Sequence, residues 1–580
     1  MITDLREKPF FLSNEDVQWV KKTIAEMSIE EKIGQLFINL GKRGDECYIR
    51  DLVENYHIGG VRFTETDAEK IYEQNKMYQQ FSKVPVLIAA NCESGGDGAC
   101  KQGTFVASEA QCASTGNIKA AYEMGRISGI EATAIGCNWT YGPMVDILFN
   151  WRNTIVNTRA FGNEPNDVMN MAKAYIEGVH KSNMLACAKH FPGDGVDERD
   201  HHLVMGCNDL TCEEWDDSFG KVYKELIDSG VESIMIGHIA LPSYSKRFKP
   251  DITLEEIMPA TLSPELVTDL LRKQLGFNGL VLTDASHMGG LISTKPRSEQ
   301  VPGAIAAGCD MFLFFHDVKE DFQYMMDGYK KGIITEERLQ DALEHILGMK
   351  AKLKLHKTHV AGVYAGDKDK LSLIGCKEHR DIAKTIADDS ITLVKDAQKL
   401  LPININHKKR ARLYYLESEP VSYASGTDPA KKIVIEELEK AGFELDVNES
   451  YYEMEEKGAS PFNKFRAMEL QTVEDFKEKY DVIFVFVHMK GYAQENNVRV
   501  KYSSPHSNEL PWWVREVPTI CVSLNYTNHL YDLPMMKTYI NAYAPTRECI
   551  QATIEKILGE SEFKGKYNDN VWCGRWDTRL

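Results

Sequence analysis

The 580-residue chain has no excess of positive charge: 86 acidic side chains against 68 basic ones leave a formal net charge of −18. That balance repels phosphate backbones and anionic membrane surfaces and suits a neutral ligand, so neither a nucleic-acid nor a membrane partner is expected. No apolar run approaches the roughly 18 residues of a membrane span, and "MITDLREKPFFLSNEDVQWVKK" at the start interrupts every apolar stretch with charge, unlike a signal peptide. The thirteen cysteines, an odd number, show no paired metal-ligand spacing. Many of them, Cys187 and Cys309 among them, lie inside apolar runs and read as buried free thiols of a reducing, cytoplasmic environment. The chain also lacks internal repeats and low-complexity tracts.

What the sequence does contain is a rhythm. Eight short apolar runs recur from residue 33 to 317: 33–40, 59–63, 84–93, 134–147, 184–191, 233–240, 279–285 and 309–315. Polar or glycine-rich loops follow them, and amphipathic stretches such as "DAEKIYEQNKMYQQF" are long enough for crossover helices between parallel strands. Eight such units predict an α/β protein built on a (β/α)8 TIM barrel, with an open doubly wound sheet as the alternative. A barrel domain is expected over 1–355, a linker over 356–374 and a smaller α/β sandwich domain over 375–580, where "DSITLVKD", "RLYYL", "DVIFVFV", "TICVSLN" and "KTYINAY" mark further strands.

Barrel enzymes carry their chemistry at the C-terminal ends of the strands. There this sequence places Asn91 and Glu93 on the third run, Asp146 on the fourth, Lys189 and His190 on the fifth, His238 on the sixth, Asp284 on the seventh, and His316 with Asp317 after the eighth. The fifth end continues as "AKHFPGDGVDERDHHLV" (188–204), where Pro192, Gly193 and Gly195 break regular structure and send the chain over the barrel mouth. Asp200 and His202 stand two residues apart, so the carboxylate can accept a hydrogen bond from one imidazole nitrogen and fix the other for proton transfer. A metal site on Asp200, His201 and His202 ranks behind this, because adjacent histidines rarely converge. Asp284 at a strand–helix turn has an ordinary reading as a helix cap. Beside an acid/base histidine it also supplies the second group that displacement at an anomeric carbon requires.

These motifs resemble glycoside hydrolase family 3, and within it the β-N-acetylglucosaminidase branch. The resemblance rests on "MSIEEKIGQLF" (27–37), "YHIGGVRF" (56–63), "RAFG" (159–162), "KHFPGDG…DHH" (189–202), "GHIALP" (237–242), "PATLS" (259–263), "GFNGLVLTDASHM" (276–288) and "AAGCDMFLF" (306–314), in the family's order. It implies Asp284 as the nucleophile and His202 as the acid/base, held by Asp200. It further implies that Lys189, His190, Arg159, Asn91, Asp146 and Met288 surround a terminal sugar, with no metal and no other cofactor. Taken by itself, Arg159 could equally pair with a neighbouring carboxylate such as Asp146. Three positions depart from the branch: Asn91 stands where Asp is usual, the Arg expected after the glycines is missing from "GGDGAC", and Asp194 replaces a common His. The function implied is a retaining, exo-acting β-N-acetylglucosaminidase working on cell-wall or chitin-derived fragments. A phosphorylase or β-glucosidase of the same family is the alternative. A sugar-binding protein without turnover, suggested by the Asn91 and missing-Arg departures, is the third reading.

Overall fold

The protein is described by a computed structural model covering residues 3–41, 43–63, 66–418, 428–449, 453–454, 457–458, 472–489, 498–500 and 512–580. Two compact units compose it: Met1–Glu109 with Ile118–Arg380, and Ala110–Asn117 with Asp381–Leu580. Residues 356–374, read from sequence as a connector, hold most of a helix at Leu355–Val360 and a 3-10 segment at Lys368–Leu373, and belong to the first unit.

The strands of the first unit are β1 (Phe37–Gly41), β2 (Gly60–Phe63), β3 (Leu87–Ala90), β4 (Trp139–Thr140), β5 (Cys187–Phe191), β6 (Gly206–Cys207), β7 (Ser233–Ile236), β8 (Ile239–Ala240), β9 (Leu280–Ala285) and β10 (Met311–Leu313). Eight of them form one sheet in the order β4-β3-β2-β1-β10-β9-β7-β5, every pair parallel. Each of the eight apolar runs contributes one of these strands. β3, β5 and β7 are buried at every position, as parallel strands covered on both faces must be. The sheet closes into a barrel between β4 and β5 through single parallel bridges, Trp139 to Leu185 and Met144 to Lys189. The apolar run 134–147 thus yields only a two-residue strand. Beyond it the chain runs through Gly142–Pro143 to Asp146 without a continuous ladder.

At the N-terminal end of the barrel, Asp310 anchors a buried ionic cluster. Its carboxylate takes Arg272 Nη2 at 2.6 Å, the Val281 amide at 2.8 Å and His345 Nδ1 at 3.1 Å, together with Arg338. Burial opposes its ionisation, but Arg272, His345 and Arg338 outweigh that and hold the carboxyl well below its ordinary range.

The second unit holds β11 (Thr392–Asp396), β12 (Arg410–Glu417), β13 (Glu444–Val447), β14 (Val482–His488), β15 (Thr519–Ser523) and β16 (Thr538–Asn541). They lie in the order β11-β16-β15-β14-β12-β13, with β11 antiparallel to β16 and the rest parallel. Its core includes Tyr414 stacked on Trp513 at 4.4 Å. All thirteen cysteines are free thiols, and Cys47 is exposed. Among the described residues no helix is long and apolar enough to cross a membrane.

Candidate active site

The loop after β5 is pinned at both ends. It leaves the barrel at Phe191, and it rejoins regular structure where β6 pairs with β8 just beyond β7. Its two glycines have no substitute. Gly193 (φ +119°) and Gly195 (φ +101°) adopt conformations that L side chains avoid, and a Cβ would meet the Phe219 ring at 2.1 Å and the Ile147 carbonyl oxygen at 2.1 Å respectively. Further along, the amides of Gly289 and Gly290 donate to the carbonyls of His202 (2.6 Å) and His201 (3.1 Å), tying the loop to the turn after β9.

Within this frame, Asp200 Oδ1 lies 2.7 Å from His202 Nδ1 and accepts the His202 amide at 2.8 Å. The carboxylate therefore holds the proton on Nδ1 and leaves Nε2 to exchange one. Asp200 is fully buried, whereas the His202 side chain keeps 21% of its exposure and can reach a substrate.

Asp284, the fifth residue of β9, uses Oδ1 to accept the amide of Ala285 at 2.6 Å, and its Oδ2 is buried with no hydrogen-bond partner among the described residues. Facing that oxygen are His190 Nε2 at 3.8 Å and His201 Nε2 at 4.0 Å. Burial would favour the neutral acid, but the neighbouring imidazoles, His190 foremost, hold the carboxyl below its ordinary range, so Asp284 is an anion. A buried carboxylate with one free oxygen and no cation in contact has the form of a nucleophile.

His190 is oriented by Asp146, whose Oδ2 lies 2.7 Å from His190 Nδ1 and whose Oδ1 accepts the amides of His190 (3.1 Å) and Asp194 (2.7 Å). The neighbouring Lys189 forms an ion pair with Glu93, and Arg159 grips the same carboxylate through two bonds of 2.9 Å. Asp146 is thus not the partner of Arg159: Glu93 takes the guanidinium and Asp146 the imidazole. Burial acts against Glu93, yet Arg159 and Lys189 keep it ionised well below its usual range. Asn91 closes β3 half-buried, with no side-chain hydrogen bond among the described residues. Met288 is buried and precedes the short helix Gly289–Ile292.

Two strand-end residues do other work. Asp317 caps the helix Val318–Lys330 by accepting the Glu320 amide at 2.9 Å, and His316 beside it is exposed. His238 is buried and neutral: its Nε2–H donates to the Ala285 carbonyl at 3.0 Å, Nδ1 faces the Thr261 hydroxyl at 2.8 Å, and burial lowers its pKa.

The sequence motifs did not single out His201 for the sugar site, nor Glu93 as the hub of two cations. His201 is fully buried, both its ring nitrogens lack partners, and Asp194 Oδ2 approaches Nε2 to 3.7 Å. Burial pushes His201 well below the usual imidazole range; burial and the Asp146 charge push Asp194 well above the usual carboxyl range. His201 is therefore neutral at pH 7. Asp200 and His202 sit in one grouping with His201, and a second grouping joins His190, His201 and Asp284, with ligating atoms all within 4.8 Å of one another.

Residues 28–349 match the model of the glycosyl hydrolase family 3 N-terminal domain. The chain belongs to glycoside hydrolase family 3. Along its whole length it is 37% identical to a beta-N-acetylglucosaminidase/beta-glucosidase of Cellulomonas fimi, covering 100% of both chains. Its fold superposes on a beta-glucoside phosphorylase, BglX, with a TM-score of 0.91 at 36% identity, covering 99% of each chain. A family 3 beta-N-acetylglucosaminidase from Paenibacillus sp. str. FPU-7 shares the fold at a TM-score of 0.76 and 21% identity, over 93% of this chain and 98% of that one. This family 3 member is thus a glycoside hydrolase by family and carries its cluster of titratable groups at the strand ends where barrel enzymes bind substrate.

Proposed function

We propose that the protein is a retaining, exo-acting β-glycosidase that detaches terminal β-linked N-acetylglucosamine, with β-linked glucose as a second accepted sugar. In the first step Asp284 Oδ2 attacks the anomeric carbon while the bond to the leaving oxygen breaks and His202 Nε2–H protonates that oxygen. In the second, His202 takes a proton from the acceptor, whose oxygen displaces Asp284 and restores the free carboxylate. Two displacements retain the β configuration. Lys189, His190 and Arg159 hold the hydroxyls of the terminal sugar, and Glu93 keeps two of those cations in place. The observation that carries this reading is the unpartnered, ionised Oδ2 of Asp284 within reach of a loop that bears an Asp-oriented imidazole. The Cellulomonas fimi relative supports the choice of sugars.

A second reading of the acceptor follows from what surrounds that oxygen. The groups that face Asp284 Oδ2 are the imidazoles of His190 and His201, so an incoming phosphate dianion meets far less repulsion there than it would from an ionised second carboxylate. Phosphorolysis to a sugar 1-phosphate is the outcome this favours, in keeping with the name of the BglX structure. Aryl β-N-acetylglucosaminide and aryl β-glucoside are to be turned over with and without millimolar phosphate. Free sugar under both conditions supports hydrolysis, and sugar 1-phosphate supports phosphorolysis. Labelling by a 2-fluoro-sugar at a residue other than Asp284 sinks both.

A further inference from the structure

Four buried polar atoms have no hydrogen-bond partner among the described residues around the proposed nucleophile: Asp284 Oδ2, both ring nitrogens of His201, and Asp194 Oδ2, with His201 Nε2 lying 4.0 and 3.7 Å from the two carboxyl oxygens. Native proteins leave few such atoms, and a cluster of them marks a place that a ligand completes. The double displacement asks nothing of His201. Its ring is fully buried, it packs edge-on against His190 at 5.3 Å and His202 at 5.2 Å, and it is neutral, with a lone pair available.

We propose that a borderline-soft divalent cation, zinc in the first instance, binds between His190 Nε2, His201 Nε2 and Asp284 Oδ2, and that its occupancy shuts the enzyme down by capturing the nucleophile. The donor set is two imidazoles and one carboxylate, the combination that zinc takes with three protein ligands. Tetrahedral ligands about 2.0–2.1 Å from zinc stand roughly 3.3 Å apart. His190 Nε2 and His201 Nε2 lie 3.8 and 4.0 Å from Asp284 Oδ2, so each of these pairs needs a contraction of well under 1 Å, and one ligating atom from each of the three residues already lies within 4.8 Å of the others. Asp146 already gives the support such sites use, a carboxylate on the far nitrogen of a ligating histidine, which leaves the lone pair of His190 on the Nε2 side. Asp194 Oδ2, at 3.7 Å from His201 Nε2, can hold a fourth ligand water or lose its proton and bind directly. The metal reading considered from sequence, Asp200 with His201 and His202, is weaker, because Asp200 Oδ1 already occupies His202 Nδ1. Zinc and the terminal sugar need the same Asp284 oxygen, so their binding is mutually exclusive.

The full-length protein is to be titrated with Co2+ in a buffer free of phosphate and chelator, and assayed with Zn2+ on an aryl glycoside. The expected result is one cobalt per chain with the intense visible bands of a four-coordinate N/O site, displaced by Zn2+. Inhibition by Zn2+ is expected to be competitive with the sugar and reversed by chelator. His201→Asn should raise the inhibitory Zn2+ concentration at least about tenfold, measured against its own uninhibited rate. Parent-like inhibition of His201→Asn overturns the site. So does a cobalt spectrum with thiolate charge transfer, or loss of inhibition in Cys47→Ser, which removes the exposed thiol. A measurement that needs no variant is cobalt binding after 2-fluoro-sugar labelling of Asp284: the bands should vanish, and their persistence refutes the site. The cobalt spectrum is read without turnover, so a failure of the glycosidase reading and a failure of the metal site are distinguished.

Discussion

His202 offers the sharpest separation of roles at the level of single residues. With a sugar as leaving group the departing oxygen needs a proton, and His202→Ala should slow turnover by roughly 10²–10⁴. With a strongly acidic phenol as leaving group the loss in the first step should be far smaller, and equal losses on the two substrates would disprove the acid assignment. The pairing behind this prediction was legible in the sequence, because Asp200 and His202 are near neighbours and a two-residue spacing already allows the 2.7 Å contact. What the sequence hid were the partners that only folding supplies. Glu93 and Arg159 are 66 positions apart, and nothing local says that Asp146 orients His190 while Glu93 takes the guanidinium. His201 was harder still: between two recognisable residues, it stands out because its ring nitrogens have no hydrogen-bond partner among the described residues.

Among the structural elements, the loop after β5 and the turn after β9 act as one piece. At Gly289 an added Cβ would lie 2.0 Å from the backbone oxygen of Leu203, so Gly289→Ala must push the segment carrying His202 aside. A displacement near 1 Å at the reacting groups costs on the order of 10²-fold in rate. Gly289→Ala is therefore expected to resemble His202→Ala: a large loss with sugar leaving groups, a small one with acidic phenols, and 2-fluoro-sugar labelling of Asp284 retained. Loss of labelling would mean that the variant damages β9 rather than the loop. The eight apolar runs were readable because parallel strands buried on both faces lack any polar alternation. The short extent of β4 was not, since a run that is apolar over 134–147 carries no mark of where its ladder stops. β13, with its exposed and half-buried residues, had no apolar signal to find.

For the molecule as a whole, stability and chemistry lie at opposite ends of the barrel. Asp310 and its cations are at the N-terminal end, and the proposed sugar site is at the other. Breaking this buried network by Asp310→Asn should cost about 3–5 kcal/mol near neutral pH, read as a fall in the urea midpoint, while the residual folded enzyme keeps its kcat. The pH dependence follows from the depressed carboxyl: the stabilisation is present above the unfolded-state pKa of about 3.9 and drains away as pH falls below it. Parent and Asp310→Asn should therefore differ most at neutral pH and converge in acid. A constant gap down to strongly acidic pH would contradict the ionic origin.

Asp146 stands at the seam where the barrel closes without a full ladder, and one carboxylate serves both the seam and the proposed sugar site. Oδ1 knits the fourth stave to the fifth while Oδ2 aims the His190 ring, so two tasks share one carboxylate. Drift at this position is blocked from two directions at once: a replacement that spared the chemistry would open the wall, and one that spared the wall would let the ring turn. Specificity in such a protein has room to change from the rim, through residues such as Asn91, far more readily than from the seam.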